Sequence, residues 1–91
     1  MDLKDLRNEI DKIDDELIKL FVHRMEIAAQ VAAYKKENNL PVFVPARENE
    51  KLADVAEKAG PEMADYAKSL YTLLFKLSRD HQSKMIEGSE V

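Results

Sequence analysis

The chain begins with a long apolar stripe. Leu3, Leu6, Ile10, Ile13, Leu17 and Leu20, then Ile27 and Val31, recur at alternating steps of three and four. That spacing keeps them on one side of an α-helix. No glycine or proline interrupts residues 3–37, so the pattern predicts one helix about 50 Å long at ~1.5 Å per residue. Such a helix outreaches a compact domain of this mass. It must lie along something, most economically a second copy of itself.

Asn38 and Asn39 suit its end, and Pro41 opposes any continuation. Leu40 to Val44 reads as an extended connector, too short and isolated for a sheet. Pro45 fits the first turn of a short second helix, about 46–59, with Gly60 as its stop. Pro61 and Glu62 open a third helix, about 62–85, with Met63, Tyr66, Leu70, Leu73, Leu74 and Leu77 at helical spacing. The polar stretch Glu87–Val91 is expected to fray. The predicted fold is all-α, a single domain of long, short and medium helices, paired as a helical homodimer.

Composition narrows the function classes. Ninety-one residues make one small domain, marginal alone, which again favours association. Apolar residues are 45% and charged residues 35%, with no cysteine, so thiol chemistry and disulfides are excluded. The charged opening Met1-Asp2-Leu3-Lys4-Asp5 is unlike a signal peptide, and no apolar run approaches the ~20 residues of a membrane span. A cytoplasmic protein without membrane partners is expected. The net charge of −4 argues against nucleic acid as partner.

Against that background, two basic residues stand out. The stripe calls for an apolar side chain at position 24, and the chain supplies Arg24; one turn past Val31 it supplies Lys35. Eleven residues apart, they share a face about 16 Å apart along the axis. Neither has an acidic residue three or four positions away. Inward cations without partners need an anion from elsewhere, unless they merely set register or reach past their neighbours to water.

Other candidates are weaker alone. Arg7 has Asp11 four residues on, enough for an ordinary intrahelical pair. Arg47 sits unfavourably in the first turn of the second helix, where Glu48 is favourable. Ser78 and Gln82 continue the stripe of Leu70 and Leu74, either into a polar site or simply into solvent. His23 and His81 are isolated, and no phosphate loop, metal-ligand spacing or nucleophile–base arrangement occurs. A pocket of Arg, Lys, Glu, Ser and Gln suits a small polyanion and chemistry by positioning and electrostatics.

These residues together resemble one family. Leu6-Arg7-x-x-Ile10-Asp11-x-Ile13-Asp14-x-x-Leu17, Arg24-Met25-x-Ile27-Ala28-x-x-Val31-x-x-x-Lys35, Pro41-Val42, Arg47-Glu48 and Ser78-x-x-x-Gln82 are similar to the all-α chorismate mutases over about residues 3–82. The resemblance implies a cofactor-free, metal-free isomerase that rearranges chorismate to prephenate, a step toward phenylalanine and tyrosine. It implies an intertwined homodimer with two sites, each completed by one arginine of the other chain. By motif position Arg24 resembles the carboxylate-binding arginine of the same chain, and Arg7 the one that reaches across. Lys35 and Gln82 match the pair at the breaking ether oxygen, and Glu48 the acceptor of the ring hydroxyl. Ser78 and Arg47 match further pocket residues. Val44 stands where some members carry an aspartate, a position expected to act mainly through its backbone.

Helix geometry bears on Arg7 independently. Seventeen residues separate it from Arg24, about 25 Å of rise and ~100° of rotation. One small ligand cannot touch both on one chain. Two other readings stay open: an isochorismate-pyruvate lyase on the same scaffold, and a non-catalytic helical dimerisation or regulatory module.

Overall fold

A computed structural model describes residues 1–88. It contains α1 (Leu3–Glu37), α2 (Pro45–Ala59) and α3 (Ala64–Gly88), and no strand among the described residues. The all-α order of long, short and medium helices is the expected one. None of these helices is long and apolar enough to cross a membrane. Of the tail expected to fray, Ser89–Val91 lie outside the described residues, while α3 continues through Gly88.

Local chemistry explains the boundaries. Asp2 caps α1 by accepting from Asp5 N at 2.9 Å, and the Asp5 carboxylate accepts from Asp2 N in return. Free N–H groups of the first turn are thereby satisfied. At the other end Asn38 Nδ2 donates to Tyr34 O, Leu40 N donates to Lys35 O, and Asn39 takes a positive φ of 55°. Asparagine tolerates that left-handed region, which closes helix ends. Pro45 is the first residue of α2, one earlier than expected, and Gly60 stops it at φ 86°.

The third helix begins two residues later than expected. Residues 61–63 form a turn in which Met63 N donates to Gly60 O. The α-helical pattern follows with Ala67 N donating to Met63 O.

Helix α3 packs against both α1 and α2, whereas α1 and α2 do not pack on each other. A cleft therefore opens between them with α3 as its floor. Contacts between Arg24 and Ser78 and between Ala28 and Gln82 show that α1 and α3 run parallel. Phe21, Met25, Ala28 and Ala32 form the face of α1 turned to α3, and Ala32 is fully buried. On α3, Phe75 is buried, whereas Leu70, assigned to the inward stripe from spacing, remains half exposed.

The molecule is far from globular. Its extents are 53 × 29 × 14 Å and its radius of gyration is 16.4 Å, against about 12 Å for a compact domain of this length. Leu6, Ile10, Ile13, Leu17 and Leu20 are 47–63% exposed, and among the described residues no large side chain is fully buried. The apolar stripe that predicted α1 is thus left uncovered along its first half.

Candidate active site

The stripe on α1 changes character at Arg24. Before it, the apolar residues face outward without cover. From it onward, Arg24, Ile27, Val31 and Lys35 line the cleft against α2 and α3, a cavity of about 500 Å³. That is the size of a small-molecule site.

Arg24, Lys35 and Gln82 are each held by a neutral partner. Arg24 Nη1 donates to Ser78 Oγ at 2.9 Å, with the guanidinium 5.9 Å from the Tyr71 ring centre and 6.0 Å from that of Phe75. Lys35 Nζ donates to Val42 O at 3.0 Å, tying the connector to the end of α1. Gln82 Nε2 donates to Ala28 O at 3.0 Å across the α1–α3 interface. Ser78 and Gln82 are the buried polar residues of the described chain, at 9% and 7% exposure. They do not run out into solvent, so the simpler reading of that stripe is wrong.

Donor capacity is left over. Arginine carries five N–H donors, lysine three and a glutamine amide two. The one bond that each makes here fixes direction and leaves N–H groups for a ligand. Among the described residues neither Arg24 nor Lys35 pairs with a carboxylate. The sequence expectation of two unpartnered cations on one inward stripe therefore holds.

The α2 wall contributes Val44, Arg47, Glu48 and Lys51. Val44 O accepts from Arg47 N and Glu48 N, which sets the first turn. Arg47 lies at the rim, exposed, with Nη1 3.7 Å from Glu50 Oε1. Glu48 is more than a helix-end charge, because both of its oxygens accept from Arg79 Nη1 of α3. The Arg79 guanidinium covers the Phe43 ring at 4.7 Å from its centre.

Arg79 and Lys51 escaped the sequence reading. Arg79 is three residues from Gln82, and Lys51 four from Arg47 and three from Glu48, so helical neighbourhood with chosen candidates was the available signal. With them, five cations (Arg24, Lys35, Arg47, Lys51, Arg79) and one carboxylate line the cleft. A chain of net charge −4 has concentrated positive charge in its cavity. Lys51 also reaches Asp54 at 3.4 Å, and Asp54 accepts from Lys58 at 3.0 Å. Those contacts, the Lys58 hydrogen bond first, hold the Asp54 carboxyl below its ordinary range.

Seven of the eight expected site residues (Arg24, Lys35, Val44, Arg47, Glu48, Ser78 and Gln82) meet at this cleft, and Arg7 does not. It is exposed near the free end of α1, and forms neither the Asp11 pair nor any other ion pair or hydrogen bond among the described residues. Since α1 is continuous, about 25 Å of helix separates it from Arg24.

Comparison with known proteins agrees with the chemistry of the cleft. A 61-residue stretch is 49% identical to the T-protein of Haemophilus influenzae, covering 64% of this chain and 16% of that protein. Another is 45% identical over 49 residues to the bifunctional chorismate mutase/prephenate dehydratase of Aquifex aeolicus, 54% of this chain and 14% of that protein. The chorismate mutase of Methanocaldococcus jannaschii is 37% identical over 46 residues, half of this chain and 46% of its own length. The aligned segments thus span about a sixth of the first two relatives and under half of the third. No solved structure gives a significant match. Residues 6–83, nearly the whole chain, match the family described as chorismate mutase type II. With a cation-lined cleft in an all-α fold, the chain belongs to the type II chorismate mutase family.

Proposed function

We propose that the chain catalyses the rearrangement of chorismate to prephenate as an intertwined homodimer, with Arg7 of each protomer completing the other's site. Family membership over residues 6–83 supports the reaction. The observation that carries the site assignment is the pair of cations, Arg24 and Lys35, oriented into the cleft by neutral acceptors and matched by no carboxylate. The uncovered stripe from Leu6 to Leu20 and the remoteness of Arg7 support the dimer.

The chemistry asks little of the protein beyond placement. Chorismate is a dianion, and its reactive conformer folds the enolpyruvyl arm over the ring. Arginines at each end hold the two carboxylates in that geometry, converting a rare conformer into the bound one. As the carbon–oxygen bond breaks, negative charge grows on the ether oxygen. The free N–H groups of Lys35 and Gln82 stabilise it more in the transition state than in the ground state, and only that difference raises the rate. Glu48 accepts from the ring hydroxyl, and Ser78 keeps Arg24 aimed.

The test is loss of chorismate absorbance on adding micromolar protein, with a solution mass measured in parallel. Turnover to prephenate by a dimer is expected. An intact dimer without turnover would favour a non-catalytic module. Pyruvate release from isochorismate, without prephenate from chorismate, would favour the lyase.

A further inference from the structure

Arg79 stands in the cleft without belonging to any motif position that carries the resemblance. From α3 it reaches both neighbouring walls: Nη1 contacts both Glu48 oxygens on α2, and the guanidinium lies over Phe43 of the connector. The pair is largely shielded, at 33% and 23% side-chain exposure. Glu48 is the one carboxylate among the described lining residues. In a cavity built for a dianion, a bare carboxylate would repel the ligand. Free to rotate, it would also lose its value as a directed acceptor.

We propose that Arg79 is a positioning residue that acts through Glu48. It fixes the carboxylate against the wall as the acceptor for the substrate hydroxyl and offsets its charge toward the dianion, while Phe43 braces the guanidinium. A carboxylate has about four lone-pair sites, so one contact on each oxygen leaves acceptor capacity for the ligand. Arg79 itself does not touch the reacting atoms. The inference rests on the mutase reading above.

The test is a double-mutant cycle on kcat and KM for chorismate with wild type, Arg79→Gln, Arg79→Lys, Glu48→Gln and both Arg79 changes in the Glu48→Gln background. Helix content and thermal midpoint are measured on the same samples. Arg79→Gln should lower kcat/KM by about 100-fold, the scale of a displaced positioning group. Arg79→Lys should restore much of it, because a single nitrogen makes both contacts. In the Glu48→Gln background the Arg79 changes should cost less than about threefold, since coupled residues are not additive. Equal losses in both backgrounds, or no rescue by lysine, would overturn the inference. If Arg79→Gln does not fold, Arg79→Met, which also removes both contacts to Glu48, takes its place in the cycle under the same criterion of coupling. Wild-type protein that leaves chorismate unchanged would overturn the mutase reading and this inference with it; active wild type with an additive cycle would overturn this inference alone.

Discussion

Gln82 offers a quantitative probe of the cleft because its amide is buried and directed. Its Nε2 donates to Ala28 O at 3.0 Å at 7% exposure. Gln82→Glu changes almost no volume, but an ionised carboxylate there would set an acceptor against that carbonyl. Leaving a buried acceptor unsatisfied costs about 1 to 3 kcal/mol. At 1.36 kcal/mol per pKa unit, the introduced carboxyl should rise about 1 to 2 units above its ordinary ~4.3, to between about 5 and 6.5. Protonated, it donates as the amide does; ionised, it repels both the carbonyl and the charge developing on the ether oxygen.

The pH dependence follows with a definite sign. The folded pKa lies above the unfolded one, so the variant loses stability as pH rises from about 4.3 to the folded value, and is level above it. Activity should follow the protonated fraction, falling about tenfold per pH unit above the folded pKa and reaching a deficit of about 10- to 300-fold near pH 7.5. The assay is kcat/KM on chorismate from pH 5 to 8.5 for both proteins, with thermal midpoints alongside. Wild type should be level between pH 6 and 7.5, because an amide does not titrate. A level profile for Gln82→Glu, or an equally steep fall in wild type, would refute the role given to this side chain.

Two further outcomes test the surfaces. Ile13→Ala with Leu17→Ala trims two residues of the uncovered stripe, 63% and 54% exposed in the single chain. Each change occurs twice per dimer and a little over half of each side chain is left to bury, so at about 1.5 to 3 kcal/mol for full burial the dimer should weaken by roughly 3 to 7 kcal/mol. Sedimentation should show dissociation on dilution, with activity per chain falling in step. For Asp54, the carboxyl held below 3.8 contributes stability above that value and loses it as pH falls through the lower folded pKa. Asp54→Asn should therefore lower the thermal midpoint at neutral pH, and the difference from wild type should vanish in strong acid.

Local signals made most of the helix plan readable, and long-range pairing hid the rest. Asn38 and Asn39 close α1 and Gly60 stops α2 where expected, and Pro45 begins α2 one residue earlier. The start of α3 shifted because the Met63 N to Gly60 O turn bond, invisible in side-chain spacing, delays the helix. Spacing likewise cannot say which of two adjacent stripes is covered: Phe75 is buried by α1, and Leu70 stays half exposed on the uncovered side. In the site, Arg24 and Lys35 were legible as charges in apolar positions. Arg79 was not, since its partner Glu48 lies 31 residues away on another helix. Arg7 was a candidate by motif position in the family resemblance, and helix length independently forbids its meeting Arg24 within one chain.

Completion of each site by the partner chain is the central claim, and subunit mixing tests it directly. Arg7→Ala and Arg24→Ala proteins should each be nearly inactive. Refolded together in equal amounts, half of the dimers should be mixed, and each mixed two-fold dimer should hold one site with both arginines and one with neither. The mixture should then recover about a quarter of wild-type activity. Activity that stays at the level of the separate variants, with mixed dimers demonstrated by mass, would contradict the account.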